Sequence, residues 1–268
     1  MPDTFQPAGP VPCPPVSRWR FAARWALAHL VVSVAVAALS AALVFGLWYP
    51  DPWRLMLGVA GIFALVVGVD VVCGPLLTLV LASPRKSRRE RWLDLSLVGV
   101  IQLAALAYGL WSVFSARPVV LAFEVDRLVV VTANEVQTAQ LPDAPKGLQS
   151  LPWRGVHTVS LRQPASSDEF LQSMDQSLQG VTQAMRPGWW RPFDEARPVL
   201  DRKARPLEAL LAQRPAQRDL LLGAAAKTGL PVTGLRFLPL TSSKRSDWVA
   251  LLNASGAIVG HAPVDGFD

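Results

Sequence analysis

Residues 55–82 read LMLGVAGIFALVVGVDVVCGPLLTLVLA, twenty-eight positions with a single charged side chain, Asp70. A helix rises about 1.5 Å per residue and the hydrocarbon core of a bilayer is about 30 Å thick, so roughly twenty apolar residues suffice to cross it. The surplus here leaves room for tilt or a kink. Gly74-Pro75 marks where a kink belongs. Pro75 has no N–H for the carbonyl of Val71, and its ring crowds that turn. The freed carbonyl then needs a donor from Thr78 or from a neighbouring helix.

Two further apolar stretches flank this one. Ala26–Trp48 carries no charge, and Leu93–Phe114 has Asp94 at its start and Gln102 and Tyr108 inside. A cleaved signal peptide is the rival reading of the first, but such apolar regions run to about 7–15 residues and this one is longer. Trp48, Tyr49, Trp53, Trp92 and Trp111 fall near the ends of the three stretches. Amphipathic rings collect there, at headgroup level. The sequence therefore predicts three transmembrane helices at about 26–48, 55–82 and 93–114, in a membrane domain of residues 25–114.

Charge sets the expected orientation. Before residue 115 there are nine Lys or Arg against five Asp or Glu; after it, seventeen against fifteen. Eight of the nine basic residues are Arg18, Arg20, Arg24, Arg85, Lys86, Arg88, Arg89 and Arg91, flanking the first helix and filling the second loop. The positive-inside rule puts both in the cytoplasm. An odd number of crossings then carries residues 115–268 to the periplasm. The nearly balanced charge of that half gives no basic stripe for nucleic acid. Residues 1–24, with six prolines before Arg18, read as a disordered cytoplasmic tail.

The C-terminal half predicts a small α+β domain with an antiparallel sheet. Val119–Phe123 and Leu128–Thr132 form a hairpin around Glu124–Arg127. Ser166 or Ser167 caps a helix whose apolar periodicity runs through Phe170, Leu171, Met174, Leu178 and Val181. Helices follow at Pro206–Gln213 and Ala216–Thr228, the latter ended by Gly229 and Pro231. Strands come last, at Val232–Pro239, Trp248–Asn253 and Ala257–His261, with Asn253–Gly256 as the final turn. Leu141–Pro152 is an extended, Pro-rich loop.

Chemistry-bearing residues are few. Asp70 lies near mid-membrane, where a charge costs at least ~2.5–3.5 kcal/mol. Three roles are open to it: orienting the bundle, meeting a partner's membrane helix, or carrying a proton. Gly74, Pro75 and Thr78 follow within two turns. Gln102 and Tyr108 are candidates to bind neighbouring helices. Outside the membrane, Trp189-Trp190 sits between Arg186-Pro-Gly and Arg191-Pro192. It is either a partner-binding loop, since Trp and Arg dominate hot spots, or core and interface packing. Asp94 is at the membrane margin and far from Asp70, so the paired carboxylates of intramembrane proteolysis are missing. His29, His157 and His261 have no metal-ligand spacing, and Cys13 and Cys73 have no partner at such spacing. Nothing points to a cofactor, a metal or a catalytic residue.

Trp48-Tyr-Pro50, Gly68-Val-Asp-Val-Val-Cys-Gly-Pro-Leu-Leu-Thr78, Gln102-Leu-Ala-Ala-Leu-Ala-Tyr-Gly109, Ala116-Arg-Pro118, Phe123-Glu-Val-Asp-Arg127 and Thr132-Ala-Asn-Glu135 occur in this order. Together they resemble the type IV pilin accessory proteins of the TfpX/TfpZ family, over about residues 24–136. The resemblance implies a bacterial inner-membrane protein without catalytic activity that supports pilin stability or assembly. It makes the major pilin, whose N-terminal apolar helix waits in the inner membrane, the expected partner besides the lipid bilayer. A periplasmic sensor and a proton-coupled module using Asp70 are the rival functions. The sensor has only about 24 residues and one ten-residue loop of cytoplasm for its output.

Overall fold

The computed structural model describes residues 17–267. The chain divides into two compact units, one of residues up to Leu39 with Leu65–Tyr108, the other of Ser40–Ala64 with Gly109 onward.

Three helices are long and apolar enough to cross a membrane: Arg18–Trp48, Val59–Leu81 and Arg88–Ser115. The first is α1 (Arg18–Leu43), closed by a π turn at Val44–Trp48. It starts eight residues before the predicted span, so Arg18–Arg24, expected in the tail, are helical; the earlier part of that tail lies outside the described residues. A charge-free window marks the hydrocarbon crossing, not the helix end, and arginine stems lie comfortably along apolar surface. Arg91 sits over the rings of Phe21 and Trp25, at 5.3 and 5.9 Å.

The predicted 55–82 segment is split. A single turn, α2 (Trp53–Met56), precedes Gly58, whose φ of +65° breaks the helix before α3 (Val59–Leu81) begins. The surplus length is therefore spent at Gly58, where glycine alone takes a left-handed backbone without steric cost. The third helix, α4 (Arg88–Ser115), opens on a capping box. Ser87 Oγ accepts from Glu90 N–H at 3.2 Å, and the Glu90 carboxylate accepts from Ser87 N–H at 2.9 Å. These two bonds satisfy donors that a helix start leaves free.

In the second unit, β1 (Pro118–Glu124), β2 (Arg127–Thr132) and β3 (His157–Leu161) are followed by α5 (Ser167–Leu178) and β4 (Trp190–Pro192). Then come α6 (Arg197–Lys203), β5 (Arg205–Pro206), α7 (Leu207–Gln213) and α8 (Arg218–Thr228). The chain ends in β6 (Arg236–Ser242), β7 (Trp248–Leu252) and β8 (Ile258–Ala262). The sheet order is β4-β3-β1-β2-β6-β7-β8, with β5 beside β6. The predicted hairpins β1/β2 and β7/β8 are both present. The sheet is mixed, however, not antiparallel: β3 runs parallel to β1, and β6 parallel to β2. Local turns fix the direction of strands adjacent in sequence only. The long connections after β2 and before β6 leave room for the crossovers that parallel pairing requires.

The central strands are buried on both faces, so they read as continuous apolar runs. Leu121 and Phe123 point to one core while Val120 and Ala122 point to the other. In β7, Trp248, Ala250 and Leu252 share the first core, and Val249 and Leu251 face α7 and α8. The first core is covered by Leu200 of α6 and by Trp53 and Met56. The loop between the first two long apolar helices is thus part of the domain's core.

Candidate functional site

Two places collect the singled-out residues, one in each unit. In the first, Asp70, Gly74 and Thr78 recur at intervals of four along α3, so they share a face. Gln102 of α4 donates from Nε2 to the backbone carbonyl of Asp70 at 2.9 Å. A neighbouring helix therefore does serve a carbonyl in the stretch before Pro75, but it is Asp70's rather than Val71's. Gly74 makes this possible: a Cβ there would lie 2.2 Å from Gln102 Nε2. Thr78, fully buried, does not turn back on its own helix. Its hydroxyl meets Nδ1 of His29 on α1 at 2.6 Å.

Between these side chains lies a cavity of about 180 Å³, lined by His29, Ser33, Asp70, Gly99, Gln102 and apolar neighbours. The Oε1 atom of Gln102 is buried there without a partner. Tyr108 is not in this group; it is 69 % exposed on α4, six residues from Gln102 and so on another face. His29 was legible beforehand only as a histidine without metal spacing. Among the described residues, no group of three or more His, Cys, Asp or Glu could hold a metal.

In the second unit the Trp189-Trp190 pair is buried, at 5 % and 0 % exposure. Trp190 donates its indole N–H to the Ala184 carbonyl at 2.8 Å. Trp189 lies between two guanidinium groups, Arg162 at 4.2 Å and Arg186 at 4.7 Å. Those arginines reach on to α5, Arg162 pairing with Glu169, and Arg186 donating to Ser173 and Gln176. The guanidinium beside Glu169 holds its carboxyl down at about 2. The two tryptophans are therefore buried, and the arginines beside Trp189 bond to α5.

Anchoring by its polar face turns α5 over. Ser166 caps it as expected, accepting from Glu169 N–H. Most of its apolar stripe is exposed: Phe170 at 49 %, Leu171 at 61 %, Met174 at 49 % and Leu178 at 85 %. Beside it runs a groove of about 680 Å³ lined by Glu124, Arg162, Phe170, Arg191, Glu195 and Lys203. Burial pushes the Glu124 carboxyl upward, against the pull of Arg127 and Arg186.

Two contacts hold the first loop in the domain. Tyr49 donates its hydroxyl to the Val113 carbonyl at 2.9 Å. Trp53 stands edge-on to His261 at 5.4 Å, where burial pushes the imidazole down to about 4. Arg117 clamps the start of the domain, donating to Pro152 O at 3.1 and 3.0 Å and to Phe114 O at 2.9 Å.

No solved structure matches the chain. The family model described as fimbrial assembly protein FimB matches residues 17–58. The chain is 32% identical over 252 residues to "Fimbrial assembly protein, serogroup I" of Dichelobacter nodosus, covering 94% of this chain and 98% of that one. It is 31% identical, with the same coverage, to the serogroup E1 protein of that organism. Over 127 residues it is 41% identical to the serogroups C1 and C2 protein, covering 47% of this chain and 97% of the other. With so much of both chains aligned, and with three membrane-length helices leading into a mixed-sheet domain, the chain belongs to the fimbrial assembly protein family.

Proposed function

We propose that this protein is a non-enzymatic inner-membrane factor that holds the type IV fimbrial subunit, the major pilin, before or during its incorporation into the fimbria. The observation that carries this reading is the match along nearly the whole chain to proteins named for fimbrial assembly. The TfpX/TfpZ resemblance of residues 24–136 narrows the client to a type IV pilin. The N-terminal flank and the second loop face the cytoplasm in this reading, and the sheet domain faces the periplasm. The basic residues gathered at Arg18–Arg24 and Arg85–Arg91 support that orientation, as does the seating of Trp53 and Met56 in the domain core.

A subunit waiting in the membrane has an apolar helix in lipid and a folded part outside it. The protein has something to offer at each level: a polar cluster at Asp70 and Gln102, and the outward stripe of α5. Deleting the gene alone tests the reading, with membranes blotted for the subunit and surface fimbriae counted. Depletion of the subunit indicates that this protein stabilises it. Normal subunit without fimbriae indicates a step in assembly. No change in either quantity refutes the proposal.

A further inference from the structure

Within the second unit, a cavity of about 210 Å³ lies where the sheet domain meets the ends of two membrane-length helices. One wall is apolar: Val59 and Ile62 at the start of α3, and Val113 at the end of α4. The other is polar: Glu135 after β2, and Ser243 and Lys244 between β6 and β7. Ile62 is 51 % exposed, so the apolar wall continues onto the outer face of α3. Tyr49 also lines the cavity, but its hydroxyl is spent on the Val113 carbonyl.

Two opposite charges line this space without pairing. Oε2 of Glu135 accepts from the Thr132 N–H at 2.8 Å and from its hydroxyl at 2.7 Å. Those bonds fix the carboxylate but bring no cation to it. The Lys244 ammonium has no hydrogen bond or ion pair among the described residues, whereas its neighbour Arg245 is paired with Asp247 at 2.6 Å. A purely anionic ligand would meet Glu135 as a like charge, and a purely cationic one would meet Lys244. A ligand that carries both charges, held apart, answers each.

Depth narrows the choice. A helix that fills the hydrocarbon core ends near the headgroups, and the cavity touches only the first turn of α3 and the last turn of α4. Its volume is below the roughly 300–1,000 Å³ of a site that encloses a small molecule, but a lipid need seat only its polar end. We infer that the cavity holds the headgroup of a glycerophospholipid bearing a phosphate and a primary ammonium. The phosphate meets Lys244 and Ser243, the ammonium meets Glu135, and an acyl chain runs out along Ile62. The inference rests on α3 and α4 crossing the bilayer and is independent of the assembly role.

The test uses the full chain in detergent, titrated with phosphatidylethanolamine, phosphatidylcholine or phosphatidylglycerol of the same acyl chains. Native mass spectrometry follows the tightest-bound lipid. Phosphatidylethanolamine is expected to bind roughly two- to fivefold tighter than either of the others, the range of one exposed ion pair. Phosphatidylcholine has the same charges but no N–H on its cation, and phosphatidylglycerol has no cation. Glu135→Gln, which keeps an acceptor for Thr132, is expected to erase that preference. Lys244→Ala is expected to weaken all three lipids by a similar two- to fivefold. Lys244 is exposed and has no partner to lose, so this variant and the comparison of lipids decide the matter if Glu135→Gln fails to fold. Equal binding of the three lipids, tightest binding of phosphatidylglycerol, a preference unmoved by Glu135→Gln, or binding unmoved by Lys244→Ala overturns the inference.

Discussion

Trp53→Ala is the most decisive perturbation of the fold. Trp53 belongs to a six-residue loop by sequence, yet it is only 6 % exposed and packs in the core with Phe123, Leu200 and Leu252. A buried aromatic of this size removes about 150–250 Å² from water. At about 25 cal/mol per Å² that amounts to roughly 4–6 kcal/mol, an upper bound because the unfolded chain already hides some surface. Truncation of buried Trp elsewhere costs about 3–5 kcal/mol, so a loss of about 4 kcal/mol is expected. That is a large part of the ~5–15 kcal/mol that holds a domain together. The assay is urea titration of the detergent-purified chain read by pulse proteolysis of the C-terminal domain. Leu55→Ala serves as control, since Leu55 is 60 % exposed two residues away and its truncation should cost no more than about 0.5 kcal/mol. A Trp53→Ala variant within about 1 kcal/mol of the parent would refute the placement of the loop in the core. With it would go one support for the orientation proposed above.

The buried His261 imidazole, held near 4, binds its proton less well folded than unfolded. Stability is therefore full above about pH 6.5 and falls as the pH drops toward 4, by roughly 3 kcal/mol; His261→Gln should flatten that part of a melting-temperature profile against pH. Gly74→Ala forces Gln102 away from the Asp70 carbonyl and should cost about 1 kcal/mol, the scale of one interhelical bond. On a Gln102→Ala background the same change should cost almost nothing, and a double-mutant cycle of thermal stability in detergent reads the difference. Leu178→Lys on the outward stripe of α5 should leave stability within about 0.5 kcal/mol, whereas a core position would lose several, as denaturant midpoints will show.

The pattern of apolar length was enough to read three helices long enough to cross a membrane, followed by a domain with a sheet, because hydrocarbon thickness and backbone hydrogen bonding leave such a stretch few other choices. Both of the hairpins predicted with their turns were likewise legible, since a short turn brings its own strands together. In hindsight even the His29–Thr78 contact had a trace: each lies within four residues of the same edge of its predicted span. Which polar atoms meet there depended on rotation of the helices about their axes. Gly74 decided that by letting Gln102 approach, and spacing along one helix does not contain it.

The domain shows the same division. Apolar periodicity located α5, but periodicity says only that a helix has an apolar face, not that the face is turned inward. The buried Arg186 and its bonds to Ser173 and Gln176 drew the polar face to the protein and left Phe170, Met174 and Leu178 outside. Parallel pairing of β1 with β3 and of β2 with β6 was equally beyond local reading, because it depends on where long connections return. The sequence alone determined which segments form apolar helices of membrane length and which strands pair through turns, both set by local length and turn chemistry. Only the tertiary structure decided which face of each helix is covered, because that depends on side chains far apart in the chain satisfying one another's polar groups.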